Sequence, residues 1–164
     1  MLTLQEIKII KYNINMLDIE DFKKKLDKKS RLMGIDPGKK RVGIAISDEN
    51  KIIATPYKTI IKNDYSKFIA EIKKIIKEND IKGIIVGNPI NLDGSNSQSS
   101  QSAKDLAINL SKDITENISM WDERLSSQGA FNLSGNLNIN TSKKVENLDK
   151  NSAQFILQGA LDYL

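Results

Sequence analysis

The sequence predicts an α/β domain with a mixed five-stranded sheet, three antiparallel strands followed by two parallel strands, and helices on both faces. Three strand-like segments follow one another with only turn residues between them, which is typical of an antiparallel meander. Two more strand-like segments are each reached through a helical segment, and right-handed crossovers of that kind place them parallel to the first strand. A chain of 164 residues with 39% hydrophobic residues is long enough to bury one core.

The antiparallel strands occupy the first part of the predicted domain. Residues 31–36 are predicted to form a strand that ends at a Pro-Gly turn, and residues 42–47 form its hairpin partner. Residues 52–60 form the third strand, which is interrupted near Pro56.

The helices and the parallel strands follow. Residues 65–78 carry apolar side chains at helical spacing, and the apolar run 83–87 is typical of a strand buried on both faces. The remaining segments are predicted to be a turn-rich loop, a helix with Ala103 to Leu110 inward, a strand, a short helix, a polar loop and a closing helix. The first loop spans residues 88–97, the strand 118–122, the short helix 126–133, the polar loop 134–147 and the closing helix 151–164. The carboxyl ends of the parallel strands then share one edge, where open α/β sheets bind ligands.

The first 30 residues differ from this pattern. They contain scattered isoleucine and leucine residues and two lysine runs, which indicate an amphipathic helical arm or a partly ordered extension. No residue in this part suggests chemistry. We therefore expect the domain to span residues 31–164, with residues 1–30 as an N-terminal extension.

The composition excludes several kinds of chemistry. The chain has no cysteine and no histidine, so thiolate metal sites, disulfides, an imidazole base and a Ser-His-Asp triad are all impossible. A net charge of +4 suits a polyanionic partner such as a nucleic acid. No apolar run approaches the roughly 20 residues of a membrane span, and the start lacks a signal-peptide pattern, so we expect no membrane association and a cytoplasmic location.

Acidic residues are predicted to gather at the carboxyl edge of the sheet. Asp36 ends the first strand, Asp122 and Glu123 lie at the end of the fifth, and Asp149 immediately precedes the last helix. Carboxylates brought together repel one another unless a cation neutralises them, and divalent ions clamped by such oxygens activate water for phosphodiester cleavage. Taken singly, each aspartate is also a common turn residue, and Asp149 is a natural helix N-cap.

Four segments resemble the YqgF/RuvX family of pre-16S rRNA nucleases. MGIDPGKKRVGIAISD (33–48) is similar to the family's opening hairpin, and VGNPINLDGSNSQSSQSA (86–103) to its G-x-P-x-N-x-D-G loop and the helix that follows. WDERLSSQGA (121–130) matches its D-E-R-L-S/T segment, and LDKNSAQFILQGALDYL (148–164) its final helix. The resemblance covers residues 31–164 in the family's order.

The resemblance implies an RNase H-like fold and a nuclease that trims the 5′ end of precursor 16S rRNA with Mg²⁺ or Mn²⁺. Carried over by position, Asp36, Glu123 and Asp149 are the catalytic, metal-binding carboxylates. Asp122 is an alternative to Glu123 as a metal ligand, and the sequence leaves that choice open.

Five residues are candidates for contacts with nucleic acid. Lys39, Lys40 and Arg41 lie in the predicted hairpin tip, where they contact phosphates or are simply exposed. Asn91 belongs to a turn that is also a candidate substrate loop. Arg124 lies beside two acids, so an ion pair and a phosphate clamp are both open interpretations.

Three other functions compete with the rRNA nuclease. A Holliday junction resolvase would need a two-fold dimer, whereas this sequence suggests a monomer or a weak dimer. A non-catalytic nucleic-acid-binding factor of ribosome assembly would leave the acidic residues unused. The hairpin of Asp36 and Gly38 also resembles the phosphate loop of actin-like and sugar-kinase ATPases, which need a second such domain that this chain lacks.

Overall fold

One sheet carries the predicted mixed pattern of strands. The structure, a computed structural model, describes residues 1–6, 15–91, 93–125 and 141–164, and within residues 141–150 it describes the backbone only. In these ranges the strands are β1 (Met16–Leu17), β2 (Arg31–Pro37), β3 (Arg41–Ser47), β4 (Ala54–Ile61), β5 (Ile81–Asn88) and β6 (Asn117–Asp122). Their order across the sheet is β1-β6-β5-β2-β3-β4. Strands β2, β3 and β4 are antiparallel, while β5 pairs parallel with both β2 and β6, which confirms the predicted fold class.

Helices cover both faces of the sheet. In the described ranges they include α1 (Ile19–Lys24), α2 (Tyr65–Glu78), α3 (Gln98–Asp113) and α4 (Thr141–Tyr163), and a 3-10 turn lies at Glu123–Leu125. Asp18, Asp64 and Ser97 cap α1, α2 and α3 by accepting backbone N–H groups of the first turn, as short polar side chains do at helix starts.

Each face of the sheet has its own apolar core. Buried side chains of α2 and α3 pack on one face, and those of α1 and α4 pack on the other. Because successive strand residues point to opposite faces, Met33 and Ile35 lie in the α2/α3 core and Leu32 lies in the α4 core. Asp36 has the same parity as Leu32, so it lies on the α4 face at the carboxyl end of β2.

The segment before the predicted domain adds a sixth strand. Met16 and Leu17 pair parallel with β6, and the Asn15 side chain donates to the carbonyl oxygens of Ile114 and Glu116, both at 3.0 Å. A two-residue strand is too short to show any pattern in sequence, which is why the expected number of strands was five.

Phe22 of α1 joins this segment to the core. Its side chain is fully buried, and a Cβ atom placed on Gly83 of β5 would lie 2.7 Å from its ring. Residues 15–26 thus pack on the same core as the rest of the sheet. The domain boundary at residue 31 stays a prediction, since the structure shows contact across it without testing whether either part folds alone.

The last helix begins earlier than the sequence suggests. The expected start at residue 151, the loop over residues 141–147 and the role of Asp149 as an N-cap are wrong, because α4 begins at Thr141 and Asp149 lies inside it. Once the buried stripe from Ala153 to Leu161 fixes the helix, each further turn towards the N-terminus adds hydrogen bonds at little cost. The helix expected at 126–133 and the loop at 134–140 lie outside the described residues.

Among the helices in the described ranges, none combines the length and apolarity that a bilayer crossing requires.

Candidate active site

Asp36 lies immediately before a tight turn at the carboxyl edge of the sheet. The backbone N–H of Gly38 donates to the carbonyl oxygen of Asp36 at 3.0 Å. A Cβ atom on Gly38 would lie 2.0 Å from the carbonyl oxygen of Arg41, so no other residue fits this turn without moving the hairpin. The turn therefore fixes the backbone that presents the half-buried Asp36.

Glu123 lies close to Asp36, two strands away, and the strand between them has a glycine next to its end. Gly87 is the penultimate residue of β5, which separates β2 from β6. A Cβ atom on Gly87 would lie 2.6 Å from Oε1 of Glu123 and 2.5 Å from Cδ1 of Ile156 on α4. The carboxylate of Glu123 thus lies over the bare backbone of Gly87, on the α4 face of the sheet.

This position makes Glu123 an unusual acid. Burial is the main cause, and the negative charges of Asp36 and then Asp122 add to it, so that the pKa of Glu123 is raised to about 7. No positive charge or hydrogen-bond donor in the described residues offsets these effects. Two carboxylates that repel each other on one face form a suitable place for a hard cation.

Asp122 makes a different set of contacts. Asp122 points to the same face of the sheet as Met120, two residues earlier on β6, and Met120 packs on the α2/α3 face. Trp121 between them is buried on the α4 face. The two oxygens of Asp122 accept from Nε of Arg124 at 3.0 and 3.1 Å and from Nη2 at 2.7 Å, and Oδ1 also accepts the backbone N–H of Arg124 at 3.0 Å. These hydrogen bonds, more than charge alone, lower the pKa of the Asp122 carboxyl.

Arg124 lies against residues 91 and 93–95, the described residues of the loop that follows β5. In this loop the N–H of Gly94 donates to the carbonyl oxygen of Asn91 at 2.8 Å, and Gly94 has a left-handed backbone with φ of +86°. A Cβ atom on Gly94 would lie 3.5 Å from Nη1 of Arg124. The negative charge of Asp93 in the same loop raises the pKa of Arg124 further, after the larger effect of Asp122. The segments after β5 and β6 therefore meet at the arginine.

A buried hydrogen bond ties α3 to the same edge. The hydroxyl of Ser100 donates to Oδ1 of Asn88, the last residue of β5, at 2.7 Å, and both side chains are buried. Sequence reasoning missed this pair and Gly87. The only signal in the sequence was a small residue at the end of an otherwise apolar run.

The predicted hairpin-tip residues are exposed beside Asp36. Lys39 and Lys40 form the connection between β2 and β3, and Arg41 begins β3. The N–H of Lys62 donates to the carbonyl oxygen of Lys40 at 2.8 Å, which fastens the tip to the end of β4.

The structure brings some of the predicted site residues together. Asp36 and Glu123 share one face, Asp122 lies next to them but is bonded to Arg124, and Asn91 lies in the loop that Arg124 contacts. Asp149 is helical, and its side chain lies outside the described residues. Among the side chains that are described, no group of three or more acidic residues is close enough to hold a metal ion.

Known proteins resemble this chain along most of its length. A family model named RuvX, with the description Holliday junction resolvase, matches residues 30–163. A protein of Pelagibacter ubique named "Putative pre-16S rRNA nuclease" is 55% identical over 149 residues, which are 91% of this chain and 99% of that protein. A protein of Rhodobacter capsulatus with the same name is 38% identical over 89% of this chain and 92% of its own length.

A solved structure shares the fold. RuvC of T. thermophilus, in complex with a Holliday junction substrate, superposes with a TM-score of 0.52 over 82% of this chain and 94% of that one. The sequences are 11% identical, so this similarity concerns the fold alone.

Proposed function

The chain belongs to the RuvX family, and on that premise we propose that it is a divalent-metal-dependent endonuclease that cuts precursor 16S rRNA near its 5′ end. Membership of the family makes it a nuclease. The observation that carries the metal dependence is the pair of Asp36 and Glu123: Glu123 lies over Gly87, and burial, together with the nearby charge of Asp36, raises its pKa.

The residues present fit a divalent cation. The pair offers carboxylate oxygens, the hard donors that Mg²⁺ and Mn²⁺ prefer. Asp149 is the third ligand in this proposal, because position 149 lies seven residues before Ile156 on α4. That spacing is about two helical turns, so both positions lie on the same side of the helix. When bound, the cation would neutralise the carboxylates and lower the pKa of an attacking water.

The protein's own residues have two further roles. The pKa of Glu123 is raised to about 7, so this carboxyl can hold or release a proton near neutral pH in a chain that contains no histidine. Lys39, Lys40 and Arg41 on one side, and Asn91 and Arg124 on the other, bind the phosphates of the strand that crosses the pair.

Precursor rRNA is the preferred substrate in this proposal. The relatives from Pelagibacter ubique and Rhodobacter capsulatus, each of which matches most of this chain, are named for pre-16S rRNA. One carboxylate edge with basic residues on either side suits a flexible single strand, which a monomer or weak dimer can bind. An enzyme with this substrate works in the cytoplasm, where precursor rRNA is found.

The test compares two substrates at equal concentration, a precursor-16S rRNA 5′ fragment and a mobile four-way DNA junction, with Mn²⁺, with Mg²⁺ and with excess EDTA. We expect cleavage of the RNA in either metal and none in EDTA. Asp36→Asn and Asp149→Asn should abolish cleavage. Asp80→Asn is the matched control, because Asp80 is exposed at the opposite end of β5 and its φ of 52° suits asparagine. Full activity in EDTA, or an active Asp36→Asn protein, contradicts the proposal.

A junction resolvase is the second candidate, favoured by the description of the matching family. It predicts symmetric paired nicks in the four-way junction, no RNA cleavage, and a dimer in solution. Tight RNA binding without cleavage of either substrate would instead indicate a non-catalytic assembly factor.

A further inference from the structure

Asp122 and Arg124 form a rigid unit beside the carboxylate pair. Three hydrogen bonds between the side chains, with lengths of 2.7 to 3.1 Å, hold the guanidinium plane against both carboxylate oxygens. The backbone N–H of Arg124 donates to the same carboxylate, so Asp122 also holds the 3-10 turn that carries Glu123. A single contact between an exposed lysine and a carboxylate leaves both side chains many orientations, whereas this bidentate contact favours one orientation of the guanidinium.

This orientation leaves one side of the guanidinium directed at Gly94. Nη1 takes no part in the contact with Asp122, and it lies nearest the position above Gly94. Gly94 has no side chain to cover this nitrogen. The loop follows β5 and the turn follows β6, and both strands end at the edge where Asp36 and Glu123 meet.

We propose that Asp122 is a positioning residue, which holds Arg124 so that its Nη1 side contacts a backbone phosphate of the substrate next to the Asp36–Glu123 pair. This inference rests on the proposed nuclease function. It differs from the sequence-based expectation that Asp122 is a metal ligand, because its oxygens are already bonded to Arg124 and its side chain leaves the sheet on the α2/α3 face.

A positioning role for Asp122 and an effect of net charge alone predict opposite changes in nucleic-acid affinity. Removing a negative charge near a polyanion should tighten binding, so Asp122→Asn should bind nucleic acid better if only the net charge matters. If Asp122 orients Arg124, the same substitution weakens binding, since asparagine keeps the backbone cap but loses the second charged acceptor.

The experiment measures binding of a fluorescent single-stranded RNA, and of a four-way junction, in EDTA by anisotropy at several salt concentrations. We expect Arg124→Gln to weaken binding about tenfold and to flatten the salt dependence by about 0.7, the value for one phosphate contact on a single strand. Asp122→Asn should weaken binding about threefold to tenfold, and the double variant should bind like Arg124→Gln alone. Arg124→Lys, which keeps the charge and loses the fork, should recover only part of the affinity.

Asp80→Asn is the matched control. Asp80 and Lys82 have the same spacing along the chain as Asp122 and Arg124, with a 2.9 Å contact, but they lie at the opposite end of β5. Neutralising Asp80 should leave binding unchanged or tighten it slightly. Thermal unfolding of each variant checks that all are folded.

Cleavage assays in Mn²⁺ distinguish a residue that positions Arg124 from a residue that binds the metal ion. Asp122→Asn should raise KM with kcat within about twofold of the parent, and the Mn²⁺ concentration for half-maximal activity should not change. Tighter binding by Asp122→Asn, unchanged binding by Arg124→Gln, or a large rise in the Mn²⁺ requirement would each overturn the proposal. If the unmodified protein binds but cuts neither substrate, the nuclease proposal fails while the binding data still decide this one. If it binds neither substrate, both fail.

Discussion

The raised pKa of Glu123 predicts that its carboxylate destabilises the folded protein above neutral pH when no metal is present. The pKa is about 7 in the folded state against an ordinary value of 4.5, so folding favours the protonated form. Below about pH 4.5 both states hold the proton and Glu123 has no effect on stability. As the pH rises from there to 7 the unfolded chain releases its proton first, so the free energy of unfolding falls, and above pH 7 the loss is complete.

Glu123→Gln removes this loss while keeping the shape of the side chain. The difference of about 2.5 pH units between 4.5 and about 7 corresponds to at most roughly 3.4 kcal/mol, at 1.36 kcal/mol per pH unit. Because the carboxylate is only half-buried, water screens part of this, and we expect about 1 to 2 kcal/mol. For a domain of this size that raises Tm by roughly 2 to 8 °C at about pH 8, and by nothing near pH 4.5.

The assay is thermal unfolding in EDTA at several pH values, for the unmodified protein, Glu123→Gln and the control Glu78→Gln, an exposed glutamate on α2. Asp36→Asn should give part of the same stabilisation, because it removes the second cause of the raised pKa. Adding Mg²⁺ at about pH 8 should raise the Tm of the unmodified protein more than that of Glu123→Gln. A Glu123→Gln protein that is less stable at that pH, or equally stable at every pH, would refute the reasoning.

Three further predictions concern single features of the fold and the site. Gly87→Ala should reduce cleavage at least about tenfold and lower the free energy of unfolding by about 1 to 3 kcal/mol, because the added Cβ would lie under 3 Å from both Glu123 and Ile156. Cleavage assays and urea unfolding measure the two effects. Full activity would show that Gly87 does not set the position of the carboxylate. Phe22→Ala should lower the free energy of unfolding, measured with urea, by about 3 to 5 kcal/mol, although Phe22 precedes the family match that begins at residue 30. A decrease of less than about 1 kcal/mol would show that the N-terminal segment contributes little to the core. Replacing Lys39 and Lys40 together by alanine should flatten the salt dependence of RNA binding by about 1.4, and an unchanged slope would mean that neither lysine reaches the phosphate backbone.

Local patterns predicted much of the fold because they depend on neighbours along the chain. The apolar spacing in residues 65–78 predicted a helix with the bounds that α2 has, and the Pro-Gly turn after Asp36 placed that acid at the end of a strand. The same reasoning failed for α4, where the polar residues 141–147 suggested a loop. A helix propagates from its packed part, and the packing lies further along the chain.

By itself, the sequence determined the class of the sheet, the edge at which the acids gather, and the exclusion of histidine and cysteine chemistry. Only the tertiary structure distinguished Asp122 from Glu123, which are adjacent in sequence and chemically alike. Asp122 is hydrogen-bonded to Arg124 and points to the α2/α3 face, whereas Glu123 lies over Gly87 close to Asp36. The physical reason is that Asp122 ends β6 and points to the α2/α3 face, while the 3-10 turn begins at Glu123 on the α4 face. Which acid meets Asp36 therefore depends on the register of β6 against β5 and of β5 against β2. That register is set by contacts between residues far apart in the chain, and no local pattern records it.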